Sequence, residues 1–367
     1  MIEKGKISAF QMGIMIYMVV VATADLLVPA VSFKEAKRDM WLSPFWASLT
    51  GFLIVYIIYR LNRIFPKKTI IEYSVDILGT IPGKILAFLY LFYYLNINGN
   101  IIRVYADFVV GVFYIKTPMV VVIASMVLVC AFAVRGGVEV LARAAQVFIP
   151  IVILLWVFTI VLIIPDLQVK NMFPLLEKGI MPSIKGSFLL QGWFTHVALL
   201  AILLPFLTDR EKGMKSGMIS VFIAMLILTL GNIIALCLFG GITGTFTYPL
   251  MEASRYISIA DFLEHIHAIA MAVWVAGAFI KISLFYYALV LGSAQWLNLS
   301  DYRPLVFPLG FVLVLFALWS APNMQELSTI TKRSTIFYNN TFHTVIPILL
   351  LLIAVVRKRK KDTIQGK

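Results

Sequence analysis

Lys281 stands inside an apolar run, His265 to Leu297, where an ammonium must find a partner or a ligand. A lysine at bilayer depth costs roughly 2.5 to 3.5 kcal/mol on insertion scales, so its presence marks a site. Two other apolar runs are interrupted by small and polar residues. One holds Ala22-Thr23-Ala24-Asp25, followed by Pro29; the other holds Gln191-Gly192-Trp193-Phe194-Thr195-His196, followed by Pro205. A helix broken at such a point exposes N–H groups on one half and C=O groups on the other, at a depth where bulk water cannot satisfy them. A zwitterion meets both needs. Its carboxylate suits the N–H groups around Thr23 to Leu26, and its ammonium suits the carbonyls near Gln191 to Phe194. Small residues at 22 and 24 leave room, and Trp193 and Phe194 are placed to wall a side-chain pocket. Amino acids or similarly small polar molecules fit this chemistry.

Other polar residues admit a structural reading beside the functional one. Arg103 and Asp107 stand four apart on one helix face and neutralise each other across a turn, as a structural pair or as a gate. Asn96, Asn98 and Asn100 suit helix-to-helix hydrogen bonds. His196, beside the second interruption, is either a buried hydrogen-bonded histidine or part of the site. His265, His267 and His343 fall near the ends of apolar runs, and Cys130 and Cys237 lie inside separate runs, so a disulfide or metal centre is not expected. Phosphate-binding loops and paired intramembrane carboxylates are missing from the sequence, which argues against an enzyme and calls for no cofactor.

Composition says what kind of segment carries these residues. Of 367 residues, 61% are hydrophobic and 13% charged, and the mean hydropathy is +0.94. Such a chain has lipid as its main solvent. Apolar runs long enough for roughly 30 Å of hydrocarbon lie near 8–32, 41–64, 82–113, 118–135, 139–164, 183–208, 216–240, 265–297, 304–321 and 341–356. Lys4, Lys6 and the Ala22-Thr23-Ala24 triplet imitate a cleavable leader, but apolar character continues through Leu26 to Val28 and predicts a retained span. With ten spans both ends share a side. About 19 of the 31 Lys and Arg residues fall on that side, about 10 opposite and two within spans, which predicts cytoplasmic termini. The net charge of +13 is dispersed over membrane-flanking loops and the tail 357–367, a pattern for anionic lipid rather than nucleic acid.

The two interruptions lie five spans apart, so the helices holding them run in opposite directions. That is the hydropathy signature of inverted repeats with broken helices, here about 8–164 and about 183–356 in one polytopic domain. Amphipathic pieces at Ile70 to Leu78 and Tyr256 to Phe262 occupy corresponding connections. The third span of each half is long, about 32 residues where about 20 suffice, which implies tilt.

This pattern resembles the amino acid–polyamine–organocation superfamily, whose LeuT-like fold has two inverted five-helix repeats with broken helices one and six. Within it the chain resembles the B subunits of bacterial spore germinant receptors. The likeness rests on the Leu-Leu-Val-Pro exit of the first span, Arg103 and Asp107 leading to Lys116-Thr117-Pro118, Gly136 with Arg143, and the spacing of Trp274 and Lys281. It departs where many relatives carry Gly-x-Gly and this chain has Ala22-Thr23-Ala24. The resemblance implies an all-α integral membrane protein of ten spans in the inner spore membrane. It implies nutrient binding that triggers germination, an A-type and a lipoprotein C-type partner subunit, and a site role for Tyr93; the pocket residues themselves suit an amino acid, with a sugar as the other candidate. A secondary amino acid transporter is the competing expectation. In sodium-coupled relatives helices one and eight hold a cation, which Lys281 would replace. A salt bridge to Asp25 and a lipid-facing, snorkelling lysine are the other readings.

Overall fold

The computed structural model describes residues 2–256, 267–321, 326 and 336–365, and these form helices joined by short connections, with one isolated bridge pairing Ile7 and Leu207. Ser8 and Gln11 form a capping box that starts α1 (Ala9–Ala36). A 3-10 turn, Lys37–Leu42, leads to α2 (Ser43–Ile64), which has proline in its first turn. A second capping box, Thr69 with Glu72, opens the short amphipathic α3 (Ile70–Leu78) at the expected place. Gly79, at φ +99°, makes the turn into the 33-residue α4 (Thr80–Val112), and α5 (Met119–Arg135) and α6 (Val138–Ile163) complete the first half.

The second half begins with α7 (Met181–Thr195), which gives way to a 3-10 turn (His196–Leu199), one helical turn, α8 (Leu200–Leu203), and a further 3-10 turn (Leu204–Phe206). Then come α9 (Gly213–Phe239), α10 (Pro249–Tyr256), α11 (His267–Trp296) and α12 (Val306–Trp319). α13 (Ile336–Asn340) continues through a π turn (Thr341–Val345) into α14 (Ile346–Gln365). The amphipathic piece expected at Tyr256 to Phe262 lies outside the described residues except for Tyr256, the end of α10.

Among the described residues, seven stretches are long and apolar enough to cross a membrane, the first of them the 56-residue Ala9–Ile64 that contains both α1 and α2. Met119–Arg135 and Arg303–Trp319 are apolar but shorter. Large apolar side chains face outward, among them Phe132, Leu154 and Phe311, and only 6% of the most apolar window of α6 is buried. An integral membrane protein has this surface, because lipid rather than protein covers it.

α1 is the central element, in contact with α6, α7, α9 and α11. It corrects one expectation: it runs unbroken through Ala22, Thr23, Ala24 and Asp25. Alanine is the strongest helix former, and two alanines give no cause to leave the helix where Gly-x-Gly would cost about 1 kcal/mol per glycine. Pro29 lies inside the helix, which continues past it although proline removes the donor that would have reached the Asp25 carbonyl and crowds that oxygen. The interruption in the sixth apolar run is present, at the residue where α7 ends.

Close backbone approach decides one contact. A Cβ on Gly83 would overlap the Val75 backbone and lie 2.7 Å from the Ser74 carbonyl oxygen, so α3 folds back on α4 only because residue 83 is glycine. Gly83→Ala is expected to cost about 1 to 3 kcal/mol by overpacking, read as a lower melting temperature of the protein in nanodiscs.

Candidate functional site

Thr23 is where three helices converge. Its hydroxyl oxygen accepts a hydrogen bond of 2.7 Å from Lys281 Nζ of α11 and one of 3.0 Å from Trp193 Nε1 of α7. Lys281 is fully buried, so it does not snorkel to lipid, and among the described residues it forms no ion pair with Asp25. An ammonium has three donors, and the Thr23 hydroxyl takes one of them. The remaining positive charge at the α1–α11 contact suits a carboxylate.

The end of α7 supplies the opposite chemistry. The His196 N–H bonds to the Trp193 and Phe194 carbonyls, as 3-10 geometry requires, which takes it away from the Gly192 carbonyl. That oxygen instead accepts from the Thr195 hydroxyl at 2.8 Å and from Asn339 Nδ2 at 3.2 Å. Asn339 Oδ1 accepts from the Tyr93 hydroxyl at 2.8 Å, and His343 Nδ1 lies 3.3 Å from that hydroxyl and 3.4 Å from Thr195 Oγ1. His196 Nε2 is 3.4 Å from Asn339 Nδ2. His196 Nδ1 and His343 Nε2 are buried without partners among the described residues. The ends of α7 and α13, with the π turn, thus hold a buried polar cluster against Tyr93 of α4.

Asn339 and His343 are absent from the sequence-based site. Hydropathy starts the last run at residue 341 and leaves Asn339 outside it, and a π turn has no sequence signature. Such a turn inside an α-helix often accompanies a functional site. Asn339→Leu strips a donor from Gly192 and an acceptor from Tyr93. It is expected to cost about 1 to 3 kcal/mol, measured by thermal unfolding in nanodiscs, with Tyr93→Phe costing less.

Asp25 and Thr23 do not share a face of α1. Two residues are about 200° of helix, so the carboxylate points away from Lys281, into a cavity described below. Ala24 is buried in the core, whereas Ala22 packs against Gly277 of α11. Phe194 is buried toward Gly51 of α2 and Val221 of α9, so its ring packs the core instead of walling a pocket. Gln191 is half-buried and joins neither cluster.

Arg103 and Asp107 form the expected pair, Nε to Oδ2 at 3.0 Å, and both side chains are largely buried. Arg103 also donates to the Leu318 carbonyl at 3.2 Å. Leu318 is in the last turn of α12, where exposed carbonyls favour a cation. Asn98 Nδ2 donates to the Ile282 carbonyl at 3.2 Å, joining α4 to α11 next to Lys281.

The chain as a whole has relatives in sequence. The model of the family described as spore germination protein, or spore permease, matches residues 6–325. Spore germination protein KB of Bacillus subtilis is 28% identical over all of this chain and 99% of its own length. Spore germination protein XB of Bacillus anthracis is 24% identical over 71% of this chain and 72% of its own length. Spore germination protein GerQB of Bacillus cereus is 22% identical over 95% of each. An integral membrane protein matched over nearly its whole length, this chain belongs to the family of spore germination proteins.

Proposed function

We propose that the protein is the nutrient-sensing B-type subunit of a spore germinant receptor. The observation that carries this reading is the convergence on Thr23 of Lys281 and Trp193, beside the end of α7, where the Gly192 carbonyl turns from the helix to Thr195 and Asn339. A small amino acid-like germinant would place its carboxylate on Lys281 and its ammonium toward the α7 carbonyls. With α1 unbroken, its N–H groups are used within the helix, and the lysine supplies the positive charge that a half-helix start would have supplied. Thr23, Gly192 and Lys281 are buried, so ligand reaches them when the interrupted segment after α7 moves. Binding can shift such an equilibrium only by its differential affinity for the two states.

In this reading the chain has ten spans: the seven long stretches with Ala9–Ile64 counted as two, plus Met119–Arg135 and Arg303–Trp319. It forms one polytopic domain with five-plus-five inverted repeats and cytoplasmic termini. Packing supports the repeat. Contact of α1 with α9 has its counterpart in α7 with α2, and contact of α4 with α12 in α11 with α5. The protein would sit in the inner spore membrane, pass its signal to A-type and lipoprotein C-type subunits, and bind lipid but no nucleic acid. Its role is binding rather than catalysis.

The test is uptake against binding of labelled amino acids and sugars in proteoliposomes holding only this protein. Saturable retention near one ligand per protein is the expected result. Accumulation well beyond the number of sites would identify a secondary transporter instead.

A further inference from the structure

Behind Thr23, on the opposite face of α1, lies a half-open cavity of about 470 Å³ between α1, α6, α9 and α11. Its α1 wall is one helical stripe from Ile14 and Met18 to Asp25, and most of the remaining lining is aliphatic. Among the described residues, Asp25 is the only charged one in the wall. Its Oδ1 is screened from solvent and has no hydrogen-bond partner there, while the Trp156 indole N–H is directed at the same carboxylate. Gly231 of α9 lies beside that oxygen, where a Cβ would make an ordinary contact at 3.5 Å. The rings of Tyr17, Trp156 and Trp274 also line the cavity. α6, the outer wall, is mostly exposed, so lipid covers its far side.

We propose that this cavity is a second binding site, separate from the Thr23–Lys281 convergence, for an amphiphilic organic cation. The cationic head sits on Asp25 among the aromatic rings, and the apolar body lies along Ile14, Met18, Val152 and Ile223.

Each alternative class of occupant leaves a mismatch. A purely apolar molecule leaves a carboxylate oxygen at membrane depth unmet, which is costly. An anion is repelled. A zwitterionic amino acid finds no cation in the described wall for its own carboxylate. A bare metal ion lacks oxygens: Asp25 supplies one carboxylate, and the hydroxyls of Ser216 and Ser220 sit at the Ala9 and Gly13 carbonyls, about 18 Å or more down α1 from Asp25. An ammonium on a hydrocarbon chain meets the carboxylate, the aromatic faces and the aliphatic wall together. The volume is within the roughly 300 to 1,000 Å³ typical of small-molecule sites.

The test uses the full chain in nanodiscs with an octylamine analogue bearing a photoreactive diazirine at the chain end. Labelled peptides are mapped by mass spectrometry, and octylamine, octanol and octanoate are the competitors. Labelling is expected in residues 149–163 and 219–234, competed by octylamine alone and reduced about tenfold or more in Asp25→Asn. Ile223→Trp, which fills the cavity and keeps the charge, is expected to reduce it as well, and it serves if Asp25→Asn fails to fold. Labelling is expected to persist in Lys281→Met, which separates this site from the proposed germinant site. The proposal is overturned if octanol competes as well as octylamine, if labelling spreads evenly over the lipid-facing helices, or if the folded variants label like the parent.

Discussion

Lys281→Met is expected to weaken amino acid binding roughly 100-fold or more while leaving the protein folded. Removing one member of a buried charge interaction costs on the order of 2 to 5 kcal/mol in binding, and 1.4 kcal/mol is a factor of ten. Methionine keeps the length and apolar stem of lysine, so the tightly packed α11 face is filled without a void. Thr23 retains its bond from Trp193. The substitution also removes the need to desolvate an ammonium, so thermal stability should hold or rise, as when buried charges are replaced by apolar groups. Lys281→Arg keeps the charge but puts a planar five-donor fork where one Nζ reaches one hydroxyl, and is expected to restore little. The measurement is equilibrium binding of labelled amino acids in nanodiscs beside a melting curve for each variant. Undiminished affinity in a well-folded Lys281→Met protein would place the germinant elsewhere.

What the sequence reveals of this arrangement depends on the kind of information each feature needs. The helices are legible because hydropathy is a local property: α2, α5 and α6 begin and end within about two residues of the apolar runs that predict them, and helix ends fray over about that distance. The α3 turn is legible from its amphipathic pattern and capping residues. The interruption after α7 is legible because Gly192 and the neighbouring polar residues weaken one stretch of an otherwise apolar helix. The same reasoning misplaces a break in α1, where small residues look permissive but alanine favours the helix.

Facing is harder. Thr23 and Asp25 read as one polar motif, although the 100° turn per residue sets them on opposite sides of α1. The Thr23–Lys281 bond joins residues 258 positions apart, and nothing local to either one says which helix faces meet. Asn339 and His343 escape a hydropathy reading because it gives little weight to polar residues at the edge of a run, even though those edges are where α13 and α7 exchange hydrogen bonds.

Arg103→Gln is expected to be the most destabilising single change in α4, at about 3 to 5 kcal/mol, because it leaves Asp107 buried with its charge unpaired and removes the donor to the end of α12. Exposed pairs four apart on a helix are worth only a few tenths of a kcal/mol, so the burial of both side chains is what raises the expected effect. In sequence the pair reads as either structural or a gate, and thermal unfolding with binding separates the two. As a structural tether, Arg103→Gln lowers the melting temperature, and Arg103→Leu with Asp107→Leu recovers most of the loss, since removing both charges leaves neither one uncompensated. Amino acid affinity, measured where each variant is fully folded, stays near that of the parent. As a gate, the double variant would regain stability and still bind or release ligand at altered rates. The bond from Arg103 to the Leu318 carbonyl favours the tether, because it fixes α4 to α12 through backbone, which moves only with the whole helix end.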